Sequence, residues 1–149
     1  MRHADEVSVL PAPPDRRGPR CELRVHSRST AIFVAGLNLE AAVEVDGRYL
    51  VFLTDGFEQE ELLSIHLVGA DGRVLDTVGI GRAGATGAFR HLVLGPPREV
   101  GFHFLGDAPW TVAVDAPPRF AWPLAPLAPG VHPRLGWRRW LRVRTRPAR

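Results

Sequence analysis

Three histidines lie inside short apolar runs: His66 in "SIHLV", His91 in "FRHLVL" and His103 in "VGFHFL". Imidazoles on neighbouring strands could hold zinc through nitrogen and leave a position open for water, the arrangement of a hydrolytic metal centre. Alternation places His103 opposite Phe102 and Phe104, and His66 opposite Leu63, Ile65 and Leu67. His91 shares a side with Phe89 and Val93. No H-x-H or C-x-x-C spacing supports a metal centre. A metal-dependent enzyme built on His66, His91 and His103 is therefore kept as a second alternative, and no metal ligand or cofactor is assigned.

Other chemistry has less material. Ser64 and His66 share a strand face, but no acid is placed to orient the imidazole. None of the four serines lies in G-x-S-x-G. The chain has no lysine, which removes Schiff-base chemistry and a P-loop lysine. Gly79, Gly81 and Gly84 match G-x-G-x-x-G after an expected strand. That fingerprint needs a helix to receive the pyrophosphate. The following "ATGAFRHLVLGPP" is interrupted by Gly87 and stopped by Gly95-Pro96-Pro97, and its apolar end has strand character. No catalytic residue is assigned, and an enzyme is disfavoured.

Asp55, Glu58, Glu60 and Glu61 form the densest acidic cluster. "DGFEQEE" lacks the alternating ligands of a calcium loop. It reads as a solvated turn that caps one short helical turn, or as an acidic counter-patch for a basic segment elsewhere.

That basic segment is the end of the chain. Residues 134–149 carry seven of the 19 arginines and no acid. Residues 21–133 carry eight arginines and 13 acids, so the body is mildly acidic although the whole chain is net +3. Within the segment, Trp137, Arg139, Leu141 and Val143 alternate with Arg138, Trp140, Arg142 and Arg144. The same residues also place Trp137, Trp140, Leu141 and Arg144 on one helical stripe, so periodicity allows a strand or a helix.

The elements that must position these residues are mostly strands. Short apolar runs recur at intervals of roughly 8–12 residues with turn signals between them, which predicts an antiparallel sandwich or barrel. Asp46-Gly47 between "AAVEV" and "RYLVFLT" predicts a hairpin with a type I′ turn. The fold class expected is all-β and mainly antiparallel, with at most one short helical turn. Four regions are expected: a flexible proline-rich leader over 1–19, a β domain over 20–114, a proline-rich crossing over 115–133, and an arginine- and tryptophan-rich element over 134–149. The single Cys21 allows no internal disulfide, which suits a reducing compartment. The first twenty residues lack the apolar core of a secretory signal, and no window has the roughly 18 apolar residues of a span. A cytoplasmic protein is expected.

The functional expectation is a non-enzymatic binding or structural module. Trp137, Arg138, Arg139, Trp140, Arg142 and Arg144 would contact a protein partner or a second copy of the chain, because Trp and Arg dominate interface hot spots. The alternative is unspecific binding of nucleic acid or an anionic surface, with arginine on phosphate and tryptophan stacked on bases. On the partner reading, removing 134–149 abolishes capture and leaves a folded domain. The structural reading is a terminal strand or helix whose tryptophans pack on the body, with solvated arginines, and on it the deletion unfolds the protein.

Overall fold

The short apolar runs become strands, thirteen of them among the described residues. The computed structural model describes residues 1–56, 62–81, 87–106, 108–120, 130–133 and 138–145, and there is no helix among them. In chain order the strands are β1 (Arg2–His3), β2 (Val7–Asp15), β3 (Gly18–Val25), β4 (Arg28–Ala35), β5 (Asn38–Val45), β6 (Arg48–Thr54) and β7 (Leu63–Val68). They continue with β8 (Val74–Ile80), β9 (Arg90–Gly95), β10 (Glu99–Phe104), β11 (Ala108–Phe120), β12 (Val131–Pro133) and β13 (Arg138–Thr145). The protein is all-β, with its strands in three antiparallel sheets. One sheet has the order β1-β5-β6-β7-β8-β12, the second β13-β11-β10-β9 and the third β2-β3-β4.

The six-stranded sheet is the middle layer of a stack. On one side Val43, Leu50, Phe52, Leu63, Ile65 and Val78 pack against Val100, Phe102, Phe104, Trp110, Val112 and Leu141 of the four-stranded sheet. Phe52, Phe89 and Phe102 form an aromatic triangle there, with ring centres 5.2–5.5 Å apart. On the other side Ala42, Val51, Leu53 and Val68 pack against Val7, Cys21, Leu23, Ile32 and Val34 of the three-stranded sheet. The unbroken apolar run "YLVFL" of β6 is thereby explained. Leu50 and Phe52 serve one core while Val51 and Leu53 serve the other. A strand covered on both faces has no polar side to show.

The Asp-Gly hairpin forms as expected. Asp46 and Gly47 have φ of 51° and 78°, and Val45 pairs with Arg48 across the turn. Both positive φ angles match the right-handed twist of the flanking strands, and glycine adopts one without strain.

Residues 1–19, expected as a flexible leader, instead contain β1, β2 and the start of β3. Val7 is buried and Val9 packs beside it. Pro11, Pro13 and Pro14 fit because β2 is an edge strand, where one row of ladder donors is dispensable. The expected crossing over 115–133 is also partly strand. β11 continues to Phe120, and β12 pairs Val131 with Ile80.

The C-terminal element is a strand. β13 pairs with β11, placing Leu141 opposite Val114 and Val143 opposite Val112. Leu141 is 2 % exposed and belongs to the larger core. The described part of the segment thus contributes side chains to the core, as a terminal element packed on the body would. Truncation after residue 137 is expected to abolish the cooperative denaturant transition. Leu141→Ala is expected to cost about 2–5 kcal/mol, read from the shift in urea midpoint.

Candidate functional site

The exposed arginines owe their direction to a buried carboxylate. Along β11 and β13 the register shifts between Val114 and Arg119. Leu141 partners Val114 and Arg139 partners Arg119, so residues 115–118 oppose Trp140 alone. A bulge of this size removes the neighbouring strand as a hydrogen-bond partner. Asp76 of β8 takes over that role. Its Oδ2 accepts the amides of Trp140 and Leu141, both at 3.0 Å. Its Oδ1 accepts the Thr77 amide at 2.8 Å and lies 3.3 Å from Nη2 of Arg139. Asp76 is 1 % exposed and Arg139 7 %. A carboxylate can remain charged at such depth only when donors and a cation surround it.

With Arg139 and Leu141 held inward, Arg138, Arg142 and Arg144 are exposed. Trp140 is half-buried against the core, and the Arg48 guanidinium lies 4.8 Å from its ring centre. Arg142 reaches Asp115 at 3.3 Å, and Arg119 donates to the same carboxylate at 3.1 Å. Phe120 is 72 % exposed and stands opposite Arg138 in register.

The six C-terminal residues singled out from sequence therefore divide. Arg138, Arg142 and Arg144 face solvent, Arg139 and Trp140 are engaged with the body, and Trp137 lies outside the described residues. Of the acidic cluster, Glu58, Glu60 and Glu61 also lie outside the described residues. Asp55 accepts the Leu62 amide at 3.3 Å. The described acids that meet the C-terminal strand are Asp76 and Asp115.

The three histidines do not converge. His66 lies on the face of the middle sheet toward the three-stranded sheet and is 2 % exposed. Its Nε2 is 3.0 Å from the Ala35 carbonyl, which can only accept, so that nitrogen carries the proton. Nδ1, 2.9 Å from Thr77 Oγ1, then accepts from the hydroxyl. Burial pushes the imidazole pKa down to about 4. His66 is a neutral cross-link between sheets, and Ser64 beside it is also buried. His91 and His103 adjoin each other on the opposite side of the molecule, in the outer sheet, with ring centres 5.0 Å apart. Among the described residues no group of three or more His, Cys, Asp or Glu side chains is placed to hold a metal ion.

The remaining motifs resolve as structure. The segment that would have to be the phosphate-binding helix contains β9. Cys21 is fully buried, and burial raises its thiol pKa to about 11, so it is not a ready nucleophile. Among the described residues no helix is long and apolar enough to cross a membrane. Sequence reasoning overlooked Asp76 as a tether. Its signal is a lone acid inside the apolar run "RVLDTVGI", and a buried charge implies a partner. No family model matches the chain, and neither a curated protein nor a solved structure resembles it.

Asp76→Ala and Arg139→Ala are each expected to cost about 3–5 kcal/mol, since either leaves buried partners unpaired. A double-mutant cycle should show strong coupling; additive losses would contradict the pairing. His66 has its own signature. The unfolded chain takes up a proton near pH 6.5, while the folded chain resists until about pH 4. Stability should therefore be full above pH 6.5 and decline as pH falls toward 4, by about 3 kcal/mol from this group. His66→Gln should remove that share of the slope in urea titrations across the same range.

Proposed function

We propose that the protein is a non-enzymatic binding module whose C-terminal strand presents arginine to an acidic protein partner. The observation that carries this reading is the exposure of Arg138, Arg142 and Arg144 on a strand whose alternate residues are locked inward. A rigid strand holds the guanidinium stems in a fixed row, so less freedom is lost on binding than from a loose arm. Arginine suits the task because its planar fork pairs with carboxylates in two-pronged fashion. Exposed Phe120, opposite Arg138, adds an apolar anchor of the kind found at hot spots. Asp115 shields Arg142 in part, which leaves Arg138 and Arg144 as the principal contacts.

The same row would attract nucleic acid by charge alone, and the test separates the two. The triple variant Arg138→Glu, Arg142→Glu, Arg144→Glu and the wild type are compared as baits in native extracts, with quantified partners. An acidic partner is expected to lose at least about tenfold in capture, a difference of about 1.4 kcal/mol, while the variant keeps a cooperative unfolding transition. Nuclease treatment is expected to leave the wild-type capture intact. Unchanged capture by the triple variant contradicts the proposal. Capture abolished by nuclease, with binding to random duplex DNA that collapses steeply with salt, supports the polyanion reading instead.

A further inference from the structure

We propose that His91 and His103 form an exposed two-histidine site for a divalent transition-metal ion of the zinc type. They lie on adjacent strands at one end of the four-stranded sheet, with ring centres 5.0 Å apart and planes inclined at 70°. That separation puts the two rings in contact and within the reach of one shared ion. A Zn–N bond is about 2.0–2.1 Å and the ring centre lies about 1.1 Å behind the nitrogen, so two imidazoles at a tetrahedral angle have centres about 5 Å apart.

The backbone around the pair is specialised. Gly101 partners Val93 and His103 partners Arg90, so His91 and Leu92 together oppose Phe102. His91 is the left-handed residue of this bulge, with φ 58°. A bulge re-aims a side chain, and a non-glycine residue with positive φ is a strained choice of the sort that gathers at functional sites. Here it brings His91 beside His103. His91 is exposed and His103 partly so, which leaves the pair accessible to an ion. Arg90, the nearest cation in register, turns a guanidinium nitrogen to the Gly106 carbonyl at 3.2 Å.

Two imidazoles favour zinc, copper and nickel over magnesium or calcium, which prefer oxygen. Among the described residues no third His, Cys, Asp or Glu side chain joins the pair. The site is independent of the arginine row and of the partner proposed for it.

The test is calorimetric titration of the untagged, chelator-stripped full chain with Zn²⁺. One equivalent is expected to bind, with affinity at least about tenfold weaker in both His91→Asn and His103→Gln. Asparagine tolerates the left-handed conformation, so His91→Asn preserves the bulge. A measurement on the wild type alone keeps the question answerable if a variant misfolds. Zn²⁺ should protect His91 and His103 from acylation by diethyl pyrocarbonate while exposed His3 and His26 still react. Absence of one-equivalent binding, retention of it in both folded variants, or lack of protection at His91 and His103 overturns the proposal.

Discussion

A single carboxylate decides where the last strand lies. Asp76 sits at the margin between the middle sheet and the four-stranded sheet, 1 % exposed. Desolvating such a charge costs several kcal/mol. Three backbone amides and the Arg139 guanidinium offset that cost. Two of those amides belong to Trp140 and Leu141, at the place where β11 has bulged away. Without Asp76 they would lose their described acceptor at the edge of a dry interior. The same contact orients β13. With Arg139 drawn inward and Leu141 seated in the core, strand geometry leaves Arg138, Arg142 and Arg144 on the outside. The basic end of the chain is thus anchored through one of its own arginines, and the outward row is a by-product of that anchoring.

The middle sheet accounts for most of what was legible in the sequence and for what was not. Asp46-Gly47 marked its hairpin because only a left-handed turn fits between those strands. In β10, alternation correctly separated inward Phe102 and Phe104 from outward His103. In β7 it correctly placed His66 opposite Leu63, Ile65 and Leu67. Alternation does not say what that opposite face meets. A third sheet covers it, and nothing local to "LLSIHLV" distinguishes water from a second apolar layer. Residues 1–19 supply part of that layer, and their prolines hid them. Proline at an open edge costs little, so proline-rich sequence and edge strand are compatible. The choice between strand and helix for the C-terminal segment was undecidable from periodicity, because the deciding partner, Asp76, lies 64 residues away from Trp140.

The buried polar groups share one character. His66 joins the middle sheet to β4 through the Ala35 carbonyl, and Asp76 joins it to β13. Each reaches from the middle layer to a different neighbour. Among the described residues no buried side-chain nitrogen or oxygen lacks a hydrogen-bond partner. A polar group satisfied at one position only is informative in a way an apolar contact is not, because dispersion contacts tolerate many arrangements.

That asymmetry bears on strand alignment. In an ordinary half-buried sheet, sliding a strand by one residue throws its apolar side chains into water, so hydrophobicity alone forbids it. Strands β6 and β7 have no wet side. A one-residue slide would merely exchange Leu50 and Phe52 for Val51 and Leu53, one oily interior for another. What such a slide would not survive is the transfer of the His66 imidazole into the aromatic triangle of Phe52, Phe89 and Phe102. In the innermost layer of this protein, alignment is written in the few residues that are not hydrophobic.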